Sequence, residues 1–444
     1  MELDNVMLSR LLTSATLIFH IIFATIGVGV PVMIAIAEFM GIKNNDSHYL
    51  LLARRWARGF TITVAVGVVT GTAIGLQLSL LWPSFMQVAG QVIALPLFME
   101  TFAFFFEAIF LGIYLYTWDR FKNKWSHWLL TIPIMIGSSA SALFITTVNA
   151  FMNSPIGFDL SDGKAININP LAAMMSPAMP TKVFHVIASS YMTCAFILAA
   201  IAAYAFLKGS RGAYHRKALK LTMVSAFIFT GLTMVAGDLS AKYLAEYQPE
   251  KLAAGEWHFE TESNADLVVF GTIDENNEVK NAIRIPGALS FLAGNSFDTE
   301  VIGLNEFPED ERPPLWIHYM FDLMVTIGMY GMFIALLFLG LWIWKKGNPF
   351  SKPVLWGIVA AGPLSMLAIE FGWLYAEVGR QPWILRGYMT VSEAATKGDG
   401  VGITFVLFIL LYMILAIVTI SVLIKMFKNK PAEAELEKRF KEEN

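Results

Sequence analysis

Charge is scarce in this chain. Only 15% of its 444 residues are Asp, Glu, Lys or Arg, where a soluble domain usually carries about 25%. Cysteine is nearly absent as well. Cys194 stands alone, so the chain by itself can build neither a disulfide framework nor a thiolate metal cluster. No CxxCH occurs, which excludes covalently attached c-type heme, and no HExxH occurs, which argues against a zinc hydrolase. The formal net charge is only −3 and gives no basis for nucleic-acid binding. The opening MELDNVMLSR has little positive charge and leads into a run longer than a signal core, without a small-residue cleavage pattern. It reads as a retained first span.

What the chain has in quantity is apolar length. Hydrophobic residues make up 56%, with 34 Phe, 22 Met and 12 Trp. Nine runs reach spanning length: Leu11–Met40, Phe60–Leu81, Val92–Thr117, Trp128–Phe151, Val183–Leu207, Leu219–Leu239, Trp316–Trp344, Val354–Glu377 and Val401–Met426. Because lipid-exposed backbone cannot leave its N–H and C=O groups unpaired, the expected fold is an all-α polytopic bundle. The organisation reads as spans 1–6 within residues 1–240, a loop over 241–315, spans 7–9 over 316–426 and a mobile charged tail over 427–444.

Charge settles the expected orientation. Lys43, Arg54, Arg55 and Arg58 follow span 1, and Arg120, Lys122 and Lys124 follow span 3. Lys208, Arg211, Arg216, Lys217 and Lys220 follow span 5, Lys345, Lys346 and Lys352 follow span 7, and Lys425, Lys428 and Lys430 close span 9. Alternate basic loops place the N-terminus outside and the C-terminus inside. Residues 241–315 carry 15 acidic and five basic residues, a local net of −10, and are then an external segment with a short amphipathic helix expected near Tyr243–Glu260.

Against this apolar background, polar residues within the spans are functional candidates. His20 lies about ten residues into span 1. Glu100 and Glu107 share one face of span 3 at i,i+7. His185 begins span 5, Met324 is eight residues into span 7, and Glu370 and Glu377 close span 8, followed by Arg380. His and Met are axial ligands for heme iron, and Met opposite His raises the reduction potential. Carboxylates in a low-dielectric interior retain protons. Together these types favour redox chemistry coupled to proton uptake. His48, His127 and His215 fall on the basic side and His258 in the loop, leaving too few histidines for a heme–copper centre. A diheme electron-transfer subunit and a proton-coupled transporter using the buried carboxylates remain as alternatives at this level.

The first span with His20, the string FMETFAFFFEAIFLGIYLYTWDRF, the segment around His185 and above all FGWLYAEVGRQPW resemble the large subunit of cytochrome bd quinol oxidase, over essentially the whole chain. The resemblance implies three noncovalent hemes: a low-spin b heme held by His185 and Met324, and a high-spin b heme and heme d held by His20 and Glu377, in an order the sequence leaves open. It implies that Glu100 and Glu107 line a proton route entered near Asp119, with Glu100 also able to approach an iron, and that Arg380 compensates propionates or fixes Glu377. Lys251 and Glu256, in PEKLAAGEWHFE, match the family's quinol residues. There Glu256 would accept a proton and Lys251 orient an oxygen, in a stretch expected to be exposed; Trp257 would contact the headgroup or anchor the loop. The implied reaction is quinol oxidation outside and oxygen reduction to water with protons from inside, without a dedicated pump, in a prokaryotic cytoplasmic membrane. The implied partners are a second polytopic subunit and small single-span subunits. Two departures stand out: the loop is short for the family, and MFDLM places Asp322 where many relatives have a basic residue.

Overall fold

A computed structural model of the chain describes residues 4–275, 277–344 and 348–442. Lys345 and Lys346, counted above among the basic loops, lie outside the described residues. Nine helices among these are long and apolar enough to cross a membrane. They are α1 (Asn5–Lys43), α2 (Ser47–Leu81), α3 (Pro83–Tyr116), α4 (Thr131–Asn153), α5 (Met179–Leu207), α6 (Ala213–Tyr247), α7 (Ile317–Ile343), α8 (Lys352–Val378) and α9 (Val401–Asn429).

The helices outrun the apolar stretches that announce them. α2 starts at Ser47, well before Phe60, because the Asp46 carboxylate caps it by accepting from the His48 backbone N–H at 3.0 Å. Its arginines then lie on helix rather than in a loop. α1 is capped likewise by Asp4, which accepts from Met7 N at 2.7 Å.

The spans pack as two four-helix groups. In the first, α1 lies against α2 and α4, and α3 against α4 and α2. In the second, α5 lies against α6 and α8, and α7 against α8 and α6, so α5 and α7 face each other diagonally. α1 and α4 join the groups through α5, and α9 covers α1 and α2. Lipid tails are as apolar as Leu, so helices in a bilayer associate through close packing of small residues. Gly29 shows this: a Cβ there would lie 2.6 Å from Cys194 Sγ, so α1 and α5 meet with no room for a methyl group. Cys194 is buried in that seam, its thiol directed at the Thr25 carbonyl at 3.3 Å.

The acidic segment is folded. A short helix, Pro249–Glu256, follows α6 directly. Antiparallel pairs then form between Leu267–Val269 and Ile283–Ile285, and between Thr272–Ile273 and Val279–Lys280, and a helix runs over Ala288–Gly294. At the opposite end the tail is anchored, contrary to the expectation of a mobile segment. A helix over Ala432–Glu442 returns to α2, where Glu435 pairs with Arg55 and Arg58. Two guanidiniums presented by the N-terminal half of α2 supply the attraction that composition alone conceals.

Candidate functional site

In the first helix group, His20 of α1 points at α2. Its Nδ1 lies 2.8 Å from Thr70 Oγ1, whose hydroxyl is 2.9 Å from the Val66 carbonyl. The hydroxyl donates to that carbonyl and accepts from His20 Nδ1–H, which leaves the Nε2 lone pair unprotonated and available to a metal. Gly71 underlies the ring, where a Cβ would come within 3.3 Å of Cε1. On α3, Glu100 accepts from Ser141 Oγ at 3.1 Å. Glu107 is 3% exposed and its Oε1 has no partner.

In the second group, His185 of α5 lies over Gly237 of α6, and its buried Nδ1 has no partner. Across the diagonal, Met324 of α7 lies against Gly372 of α8, where a Cβ would fall 2.9 Å from Sδ. His20 and His185 are level: each stands nine residues before its contribution to the Gly29–Cys194 seam, on helices that run in the same direction. At 1.5 Å per residue, both rings lie about 13.5 Å from that seam.

At the end of the bundle that bears the folded loop, Glu377 accepts from Asn149 Nδ2 and, at 2.6 Å, from Arg380 Nη2. Asn149 Oδ1 in turn accepts from Lys182 Nζ at 2.8 Å. Arg380 is 6% exposed, yet Nε and Nη1 have no partner. Glu370, one face-repeat earlier on α8, has neither carboxyl oxygen paired.

The structure corrects the expected exposure of Lys251 and Glu256, since each is only 2% exposed. The helix that carries them is sealed against α8 by Gly255, where a Cβ would meet the Tyr375 ring at 2.8 Å. Lys251 Nζ donates to the Ala376 carbonyl at 2.9 Å, and burial lowers its pKa to about 7. Burial also pushes Glu256 well above the usual carboxylate range, and the negative charge of Asp322 adds to the shift. Trp257, at φ 48°, turns inward, donates from Nε1 to Leu315 O at 2.8 Å and stacks on His318 at 3.9 Å. It anchors the loop to the protein.

Asp322 works as a clamp. One of its oxygens accepts from the Phe270 backbone N–H and lies 3.1 Å from His318 Nε2, while His318 Nδ1 lies 2.7 Å from the Gly255 carbonyl. The acid in MFDLM thus ties α7 to the folded loop, with His318 beside it. Asp119 stands apart: it is exposed at the other end of α3 and paired with Arg54 at 2.8 Å.

Two groups escaped sequence reasoning. Lys182 lies at the edge of an apolar run and reads as a simple span end. Glu38, inside the first run, is 2% exposed and accepts from Tyr114 Oη at 2.7 Å and from His127 Nδ1 at 2.6 Å. An acid placed deep in an apolar stretch was the available signal. Among the described residues, no group of three or more His, Cys, Asp or Glu is placed to hold a bare metal ion.

Comparison with known proteins follows the same lines. Residues 8–431 match the family described as cytochrome bd terminal oxidase subunit I. The chain is 42% identical to the "Putative cytochrome bd menaquinol oxidase subunit I" of Bacillus subtilis (strain 168), over 98% of this chain and 99% of the relative. It is 32% identical to the cytochrome bd ubiquinol oxidase subunit 1 of the same organism, over 96% and 94%. Among solved structures, the bd oxidase from Geobacillus thermodenitrificans superposes with a TM-score of 0.93 at 65% identity, covering 97% of this chain and 99% of that one.

Proposed function

The chain belongs to the cytochrome bd terminal oxidase subunit I family, whose members are heme-dependent quinol oxidases, and from that premise we propose that it oxidises membrane quinol at the loop end and takes up protons for water formation from the opposite end. The observation that carries the reading is the diagonal pair His185 and Met324, each seated on a glycine of the neighbouring helix, with a buried imidazole nitrogen left unpartnered.

The donor set fits heme. His185 and Met324 would hold a low-spin b heme, while His20, with its Nε2 lone pair freed by Thr70, and Glu377 would hold a high-spin b heme and heme d between them. These groups supply one-electron redox centres and an iron that binds oxygen. Held by an imidazole and a thioether, that first heme would supply electron transfer.

The chain's own acid–base groups divide by end. Glu256 is buried and holds its proton, so it serves as acceptor for a quinol hydroxyl only after passing that proton outward. Lys251 shares its helix but turns its ammonium toward α8, which makes orientation of the helix its contribution to the quinol site. Glu107 stores a proton within the first helix group, Glu100 shares the same face, and Asp119 lies at the water-facing start of the route. Arg380 fixes Glu377 by a charged hydrogen bond.

With the N-terminus and the folded loop outside, quinol protons leave on one side and water-forming protons enter on the other. Charge separation then needs no dedicated pump, and each elementary charge crossing stores about 2.3 kcal/mol per 100 mV. The setting is a prokaryotic cytoplasmic membrane, with a second polytopic subunit and small single-span subunits as partners. The exposed phenyl stripe of Phe98, Phe102 and Phe105 on α3 is available to protein or lipid.

The test is the visible spectrum of the purified oxidase together with quinol-driven oxygen consumption. A chlorin-like long-wavelength band beside b-type bands, with quinol-dependent turnover, is expected. Only b-type bands would indicate a diheme electron-transfer subunit, and the absence of heme bands would leave a proton-coupled transporter.

A further inference from the structure

At the end of the second helix group away from the folded loop, the chain forms a cavity of about 460 Å³ between the close of α5, the start of α6 and the turn that leads into α8. Its floor is aromatic and fixed. Phe350 stacks on Phe206 with ring centroids 5.2 Å apart and meets Phe338 edge-on at 5.9 Å. Two guanidiniums sit on that floor: Arg211 lies 6.0 Å from the centre of the Phe206 ring, and Arg216 lies 5.9 Å from that of Phe350. Lys352, the first residue of α8, completes the cationic lining.

No carboxylate answers these cations among the described residues that line the cavity. The sequence has no Asp or Glu from 163 to 237 or from 323 to 369, so all four helices of the group reach this end without an acid. Carboxylates that other segments bring to α6 are engaged elsewhere on it: Asp46 pairs with Lys217, and Glu433 lies 3.5 Å from His215. Two helices also begin here. α6 follows Gly212 and α8 follows Ser351, and neither start is capped by a side chain, so their first N–H groups and dipoles add to the positive field. Stacking on a ring occupies one face of a guanidinium and leaves its fork of N–H donors free in its own plane. That fork matches the oxygens of a phosphate. Basic loops alone would serve to orient the chain in a bilayer; here the cations converge on one hollow of small-ligand size.

We propose that this cavity binds the phosphodiester of an anionic phospholipid, with Arg211 and Arg216 on its oxygens and the Lys352 ammonium and Ser351 hydroxyl beside them. Place and lining both favour a lipid. The hollow lies where four spanning helices end, at the level of the head groups, and basic pockets between such helix ends hold anionic lipid heads. The phenyl floor suits the less polar glycerol ester region below the phosphate. One phosphate bound there ties the α5–α6 turn to the start of α8. The site draws on no residue assigned to heme or quinol.

The test is native mass spectrometry of the detergent-purified holoenzyme titrated with phosphatidylglycerol, with zwitterionic phosphatidylcholine in parallel. Wild type is expected to retain phosphatidylglycerol at least fivefold more tightly than phosphatidylcholine. Arg211→Gln, Arg216→Gln and Lys352→Gln should each weaken that retention about fivefold, and the three together should remove one bound lipid per complex. Arg216→Lys, which keeps the charge and loses the fork, should fall between. Lys122→Gln, which removes an exposed cation from the loop after α3, should leave retention unchanged. Equal retention by wild type and the triple variant, equal binding of the two lipids, or an equal loss in Lys122→Gln would overturn the proposal. Displacement of phosphatidylglycerol by millimolar inorganic phosphate would overturn it too, by making a soluble phosphate compound the occupant. If the triple variant does not assemble, the single variants and the wild-type comparison of the two lipids carry the same expectations.

Discussion

Lys251 and Glu256 share one short helix and send their side chains to different elements. Lys251 donates to the Ala376 carbonyl of α8 at 2.9 Å, while Glu256, with Oε2 unpartnered, feels the charge of Asp322 on α7. The helix is a bridge between the region assigned to quinol and the loop end of α8.

Glu256 gives a pH dependence of defined sign. Burial and the nearby charge of Asp322 raise its pKa well above the ordinary carboxylate range, so it keeps its proton to higher pH than a solvated carboxyl and cannot accept another until it has lost it. Quinol oxidation by the wild-type enzyme should therefore rise with pH, up to tenfold per unit below that pKa. Glu256→Gln should flatten the rise and lower the rate by about a hundredfold, within the range of general-base effects. Steady-state rates across pH measure this, with a proton-free one-electron donor as the control for the rest of the enzyme.

Met324 and its seat can be tested from both sides. Met324→Leu removes the thioether and should lower the low-spin potential. Gly372→Ala leaves Met324 in place but puts a methyl group 2.9 Å from Sδ, so the ligand must move. Both variants should change the low-spin absorption bands. A Gly372→Ala spectrum matching wild type would place Met324 elsewhere.

Thr70 orients His20. Thr70→Val removes the hydroxyl that accepts from Nδ1–H, and loss of such an outer hydrogen bond typically weakens metal binding 10- to 100-fold. Titration of the heme-depleted oxidase with heme, followed at the high-spin bands, should show the loss while the low-spin bands refill normally.

Glu107→Gln keeps the shape and removes the exchangeable carboxyl proton. Oxygen reduction driven by quinol should fall at least tenfold, with proton uptake slowed in parallel. Normal uptake in this variant would take Glu107 off the route.

Asp322 predicts a local effect on the loop. Asp322→Leu leaves the Phe270 N–H without its acceptor, at a cost of about 1–3 kcal/mol, so hydrogen exchange at Phe270 should quicken roughly 5- to 150-fold. Asp322→Asn retains an oxygen acceptor and should stay within a few-fold of wild type.

The spans were legible because run length is a local property of the chain. The helix termini were less so: Arg54, Arg55 and Arg58 look like loop residues until Asp46 is seen capping the helix that carries them. Among the candidate residues, His20, His185 and Glu107 stood out because hydrocarbon makes their types conspicuous. Lys182 did not, since a lysine at a span end is ordinary and its contact with Asn149 joins distant segments. The burial of Lys251 and Glu256 was hidden for the opposite reason, because an acidic stretch reads as solvated unless its tertiary cover is known. Glu38 and His127, 89 residues apart, form a pair that pattern reading within a window does not see.

The seam between Gly29 and Cys194 acts as a ruler. With no room for a methyl group, α1 and α5 are in close contact there, and the two histidines stand level about 13.5 Å along their helices from it. Electron tunnelling falls off steeply with separation. A rigid gauge block at that level would hold transfer between the two cofactor sites at one speed while quinol enters and leaves.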